Sequence, residues 1–126
     1  MMRQDQFIYI IDDEESVGKA LSRLADSAGF KAEVFHSAQS FLDSVPLNDA
    51  HGVLILDLRM PGMGGFELFQ KLKEFHCELK VIFITGYAEP GDRERAMREG
   101  AVGFLLKPFQ DASLLELIHS ATEDKK

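Results

Sequence analysis

The chain of 126 residues holds a single cysteine, four prolines and no tryptophan. A lone thiol allows no internal disulfide, so Cys77 reads as a small apolar packing group rather than a reactive one. No apolar run approaches the ~20 residues needed to span a bilayer, so no membrane partner is expected. The opening MMRQDQ lacks the long apolar segment of a secretory signal, which makes a cytoplasmic location the default expectation. Basic residues are in deficit: 14 Lys and Arg stand against 21 Asp and Glu, for a net charge of −7. Phosphate backbones demand clustered Lys and Arg, so direct nucleic-acid binding by this chain is not expected. Repeats, low-complexity segments and linkers are absent too, and only the final TEDKK reads as a frayed tail. The four histidines (His36, His51, His76, His119) have no metal-ligand spacing and read as surface residues.

What is present is the composition of a soluble globular chain, 45% hydrophobic and 28% charged, of a length suited to one domain. Short apolar runs alternate with helical patterns. FIYII (7–11) reads as a first strand, followed by a helix with Val17, Leu21, Leu24, Ala25 and Ala28 in one stripe and Gly29 as its stop. AEVF (32–35) reads as the second strand, and Ser37 as the N-cap of a helix through about Val45. GVLILD (52–57) is the third strand; the helix after it, from about Gly65 to Phe75, should carry Leu68, Leu72 and Phe75 inward. LKVIFI (79–84) is the fourth strand, and the next helix should run from Pro90 in its first turn to Glu99, stopped by Gly100. Only Ala96 and Met97 are apolar there, so this helix should be weakly held. VGFLL (102–106) is the fifth strand, and a last helix over about 111–122 repeats Leu114, Leu117, Ile118 and Ala121 at i, i+3, i+4 and i+7. Strands alternating with helices imply an α/β fold: a doubly wound five-stranded parallel sheet with five helices covering both faces. In such a sheet the connections are right-handed and ligands sit at the carboxyl ends of the strands, near a topological switch point.

Polar residues stand at those ends. Asp12 and Asp13 close the first strand, Asp57 the third, Thr85 the fourth and Lys107 the fifth. With the first strand near the middle of the sheet, these ends converge. Two carboxylates ~5 Å apart repel by roughly 3 kcal/mol at an effective dielectric of 20, and three fully ionised ones by on the order of 10 kcal/mol. One lysine cannot offset that, whereas a hard divalent cation can. Mg²⁺ suits a site with few carboxylates, several retained waters and room for phosphate oxygens. Asp57 is then the natural nucleophile, Lys107 a neutraliser of equatorial oxygens and the Thr85 hydroxyl a donor to one of them. MPGMGG after Asp57 and Arg59 keeps the entrance uncrowded. Asp12 and Asp13 have a plainer reading as caps of the first helix, and Glu14 and Glu15 as acids favouring its positive end, with Glu14 near the metal.

IIDDEES, LILDLRMPGMGGFEL, VIFITGYA and FLLKPF, in that order and spacing, resemble the receiver domain of bacterial two-component response regulators, across essentially the whole chain. The resemblance implies a flavodoxin-like, CheY-like fold and a phosphoacceptor switch acting with a sensor histidine kinase. It implies Asp57 as phosphoacceptor and Mg²⁺, with Mn²⁺ as substitute, on Asp12, Asp13, Asp57 and the backbone carbonyl of Arg59. Thr85 and Lys107 would contact the phosphoryl group, and Phe104 would be the rotating switch aromatic. Arg59 and Tyr87, two residues beyond Asp57 and Thr85, would modulate hydrolysis. The Lys107-Pro108 bond would be cis, a state open to X-Pro amides. FHSAQSFL and ITGYAEPGDRERAMREGAVGFLLKPF resemble the branch fused to LuxR-type helix-turn-helix output domains. Residues 1–126 read as one receiver domain with no output domain in this chain, signalling through a face made of the fourth helix, fifth strand and fifth helix, a possible homodimer surface. The domain would catalyse only its own phosphorylation and dephosphorylation.

Three rival readings fit less well. A phosphohydrolase of the haloacid-dehalogenase type needs a second Asp two residues after the nucleophile; Arg59 stands there, and no cap region is present. A flavodoxin-type binder needs a Gly- or Ser/Thr-rich phosphate loop where this chain has DDEES. A receiver working by protein contact alone, unphosphorylated, has the complete site against it.

Overall fold

The computed structural model describes residues 7–122; MMRQDQ and all of TEDKK but Thr122 lie outside the described residues. The described chain runs β1 (Phe7–Ile11), α1 (Glu15–Ser27), β2 (Lys31–Phe35), α2 (Ala38–Ser44), β3 (Val53–Asp57), α3 (Gly65–Glu74), β4 (Lys80–Thr85), α4 (Asp92–Arg98), β5 (Gly103–Leu106) and α5 (Asp111–Thr122), with a 3-10 turn at Leu47–Asp49. All strand pairs are parallel, in the order β2-β1-β3-β4-β5. The order reverses between β1 and β3, which is the switch point of a doubly wound sheet.

Strand alternation sorts the core into two layers. Ile8, Ile10, Val53, Ile55, Ile82 and Ile84 pack with Leu21 and Ala25 of α1 and Leu114 and Ile118 of α5. Leu54, Leu56, Val81 and Phe83 pack on the other face with Phe41 of α2, Leu68, Phe69 and Leu72 of α3 and Ala96 of α4. All five residues of β3 are buried, as a central parallel strand covered on both sides must be. Ser37 caps α2, its hydroxyl accepting from the Ser40 N–H at 3.0 Å. The partly buried Cys77 packs against the second layer, and burial pushes its thiol above the ordinary range, in keeping with a packing role.

Two expected boundaries differ. Phe75 is not inward: it is 59% exposed, at the C-cap of α3. The helix closes there in a Schellman motif, with the His76 N–H on Lys73 O and the Cys77 N–H on Leu72 O. Cys77, rather than Phe75, then makes the apolar contact. The fourth helix begins at Asp92, not Pro90, because Gly91 at its N-cap is left-handed (φ 91°) and breaks the helical path. The motif that ends α3 recurs at the ends of α1 and α4, where Gly29 and Gly100 occupy the left-handed position. At α3 that position is filled by His76 at φ 54°, a conformation that costs a side-chain-bearing residue free energy. His76→Gly should therefore stabilise the domain by about 0.5–1 kcal/mol. A urea midpoint that is unchanged or lowered would show that the imidazole contributes contacts outweighing the backbone cost.

Candidate functional site

The register decides which side chains meet. Ile11 pairs with Leu56, so Asp12 and Asp57 leave the sheet at the same height on either side of the switch point. Asp57 pairs with Ile84 and Thr85 with Leu106, so Thr85 and Lys107 follow one step further along. β3 reaches this edge crowded from behind by the start of α3. A Cβ on Gly65 would lie 3.0 Å from Asp57 O and from Leu58 Cα, so glycine is what lets α3 begin against the strand end.

Carboxylate oxygens of Asp12, Asp13 and Asp57 all lie within 4.8 Å of one another. Asp12 is fully buried and Asp57 nearly so, while Asp13 is exposed. Lys107 Nζ sits 3.0 Å from Asp12 Oδ2, 3.6 Å from Asp57 Oδ2 and 3.6 Å from Glu14 Oε1. Asp12 Oδ1 accepts from the Glu14 N–H at 2.9 Å, which gives that carboxylate a second partner. Asp57 is less well served, with only a long bond from the Arg59 N–H to Oδ1 at 3.4 Å. Burial, and then the charge of Asp12, push its pKa up to about 6 against the pull of Lys107. Burial alone would depress Lys107, but its hydrogen bond to Asp12 and the charges of Asp12, Asp57 and Glu14 hold it above the ordinary value. Three hard oxygen donors with an excess of negative charge fit Mg²⁺ or a similar cation, and this is an acidic cluster able to bind a metal.

Thr85 is fully buried, yet its hydroxyl is engaged elsewhere: it donates to Tyr87 O at 2.7 Å and accepts from the Tyr87 N–H at 3.2 Å. Tyr87 itself is 64% exposed. Phe104 is buried in the core layer shared with Ala96 and Ala101, so its ring is already inside while Thr85 faces Tyr87. Its carbonyl accepts from Arg93 Nη1 at 3.0 Å. The Arg59 guanidinium points across to Asp92, with which it is ion-paired, and to Glu89 at 4.0 Å. The Lys107-Pro108 bond is cis, as expected. The Glu14 contact to Lys107 belongs to this site, and its place beside two aspartates was a readable signal. The Arg59 partners lie beyond the sequence reading; an acid just after Pro90-Gly91 could have marked Asp92 as a helix-start residue, but nothing in the spacing links it to Arg59.

A parallel doubly wound domain with a buried aspartate, a second carboxylate pair and a lysine at its switch point defines a class of phosphoryl-handling α/β domain. The comparisons with known proteins place it further: the family model for the response regulator receiver domain matches residues 8–119, and the chain belongs to that family. It is 40% identical over 114 residues to the transcriptional regulatory protein FixJ of Bradyrhizobium diazoefficiens, covering 90% of this chain and 55% of that protein. It is 43% identical over 114 residues to the response regulator protein TodT of Pseudomonas putida, covering 90% of this chain and 50% of that protein. The chain thus spans about half the length of these curated relatives. Among solved structures, FixJ-N superposes with a TM-score of 0.84 at 38% identity, covering 98% of both chains. The response regulator StyR gives 0.85 at 39% identity, over 92% of this chain and 58% of that one. Among the described residues, no helix is long and apolar enough to cross a membrane.

The raised pKa of Asp57 carries a stability consequence. In the folded chain its ionised form is disfavoured, so the penalty is full above about pH 6, shrinks as pH falls, and vanishes below the unfolded value near 3.8. Without divalent cations, Asp57→Asn should gain about 2–3 kcal/mol at pH 7, the free energy that separates a carboxyl titrating near 3.8 from one titrating at about 6. The gain should fade between pH 6 and pH 4 in urea titrations. A gain independent of pH would mean that charge at Asp57 is not its source.

Proposed function

We propose that the chain is the phosphoacceptor switch of a two-component phosphorelay, taking a phosphoryl group from a sensor histidine kinase onto Asp57. The observation that supports this most is the buried Asp57 carboxylate at the switch point, flanked by Asp12, Asp13 and Lys107. An Asp57 oxygen attacks phosphorus, the new P–O bond forms as the P–N bond to the kinase imidazole breaks, and the imidazole nitrogen leaves with the electron pair and is protonated. Asp12, Asp13, Asp57 and the Arg59 carbonyl would hold Mg²⁺, with Mn²⁺ as substitute, which when bound would supply charge neutralisation for the phosphoryl oxygens. Lys107 shares that task. The domain catalyses only its own phosphorylation and dephosphorylation, and Arg59 and Tyr87 modulate the hydrolytic step.

The response follows from the Thr85 hydroxyl. A phosphoryl group on Asp57 offers strong acceptors, and Thr85 must exchange its Tyr87 partners to reach them. That exchange moves the loop from Gly86 onward and, through Phe104, the surface of α4, β5 and α5. Met97 and Leu106 are exposed on that surface at 42% and 54%, which suits a partner or a second copy. The output is transcriptional, as the name of FixJ as a transcriptional regulatory protein suggests.

Incubation with acetyl phosphate and Mg²⁺, followed by intact-mass measurement, should add one phosphoryl group to wild type and none to Asp57→Asn. A phosphorylated Asp57→Asn, or an unmodified wild type, would defeat this reading. Thr85→Ala should still accept the phosphoryl group but lose the hydrogen-exchange response over residues 86–106 that beryllofluoride induces in wild type. An undiminished response would show that the hydroxyl does not couple site and surface.

A further inference from the structure

Helix α4 fully buries one side chain, Ala96, and is otherwise held by charged groups. Near its last turn, the Arg95 guanidinium lies 3.9 Å from the Phe66 ring centroid, and Arg95 Nε donates to Glu99 Oε2 at 2.9 Å. The other Glu99 oxygen is 3.9 Å from Lys73 Nζ of α3. At its second residue, Arg93 Nη1 donates to Phe104 O. At its first residue, the Asp92 carboxylate accepts from the Glu89 N–H at 2.8 Å and is ion-paired to Arg59. Of these attachments, the last is the one that reaches the phosphoacceptor segment, because Arg59 also donates its backbone N–H to Asp57.

Arg59 is therefore placed between two groups of acids. On one side are Asp92 and Glu89, and on the other Asp57, two residues back along the chain, with Asp12 and Asp13 clustered beside it. An arginine side chain is long enough to fold back onto that cluster, where a guanidinium would be attracted by the same excess charge that draws a divalent cation. Asp92 is only 12% exposed at its side chain, so its charge is poorly screened and competes effectively.

We propose that Asp92 is a positioning residue for the phosphoacceptor site: it holds the Arg59 guanidinium at the start of α4 and out of the carboxylate cluster. The same ion pair links occupancy of the cluster to the seating of α4 by a route that does not pass through Thr85. This rests on the metal-and-phosphoryl reading of the cluster. Its logic is competition. Freed from Asp92, Arg59 becomes an internal rival of the metal; pinned there, it leaves the site open and fastens a helix that has little apolar burial to hold it.

Asp92→Asn is the informative change, since the amide oxygen can still accept from the Glu89 N–H while the charge is gone. By calorimetric titration, Mg²⁺ should bind this variant about fivefold more weakly than wild type, the loss expected of one part-exposed ion pair. Adding Arg59→Ala should restore the affinity, which a merely structural role of Asp92 would not allow. In the metal-free chain, amides 92–99 should exchange faster in Asp92→Asn and in Arg59→Ala, and Thr85→Ala should leave that rate unchanged. Equal Mg²⁺ affinity in Asp92→Asn and wild type, or a double variant as weak as Asp92→Asn, overturns the competition. A wild type that takes no Mg²⁺ at all overturns the reading of the cluster instead. The ion pair is then judged by exchange, and unchanged exchange of α4 in Arg59→Ala overturns it as well.

Discussion

Repulsion among three carboxylates gathered within 4.8 Å is the constraint on which the rest of the domain turns. A chain that only had to be stable would not place Asp12 and Asp57 out of water at the same height of a parallel sheet. Two thoroughly hydrophobic core layers tolerate that strain, and one ammonium group relieves part of it. Lys107 touches Asp12, Asp57 and Glu14 at once, so the last strand is tied to the first and third by charge as well as by backbone bonds. The residual imbalance falls on Asp57, a buried carboxylate held less closely than that of Asp12 and with a raised pKa. The group under most strain is the one proposed to react.

The proposed switch residues are arranged around that imbalance at low apolar cost. Thr85 is fully hydrogen-bonded to its own turn, so recruiting it requires an acceptor stronger than a peptide group. The Phe104 ring is inside while Thr85 faces Tyr87, so burial of the ring does not require the Thr85 hydroxyl to leave its turn. Helix α4, fastened chiefly by charged contacts, can change its seating without opening a cavity, because little apolar surface is committed there. A ligand shifts such an equilibrium only by its differential affinity for the two states, and few lost contacts make a small difference sufficient.

Much of this was legible in the chain. Four apolar strands, the first, third, fourth and fifth, each running into a polar residue, sufficed to place Asp12, Asp57, Thr85 and Lys107 along one edge, since strand length and parallel pairing leave little freedom in register. The failures have physical causes. Phe75 sits at helical spacing from Leu68, but periodicity says nothing about where a helix closes, and a left-handed His76 is not a residue that pattern reading expects. Pro90 is a good first-turn residue in general, and Gly91 displaced the start by two residues. Long side chains were least legible: the sequence pointed to Arg59 for its carbonyl and bulk, while its guanidinium found acids 30 and 33 residues away. Which of its possible partners a hydroxyl such as that of Thr85 engages is likewise decided by local turn geometry, not by spacing.

The three Schellman closures bear on how a rearrangement can spread. They finish α1, α3 and α4 with backbone hydrogen bonds and deliver the chain to β2, β4 and β5, all on the edge of the sheet away from the carboxylates. Each of these three joints is a few residues long and closed by its own backbone hydrogen bonds, and the longer joint 45–52 shares their edge. The opposite edge carries the joints 58–64 and 86–91, held by side-chain bonds that can be exchanged one for another. A rearrangement begun among the carboxylates meets exchangeable side-chain bonds at this edge and helix ends sealed by backbone hydrogen bonds at the other.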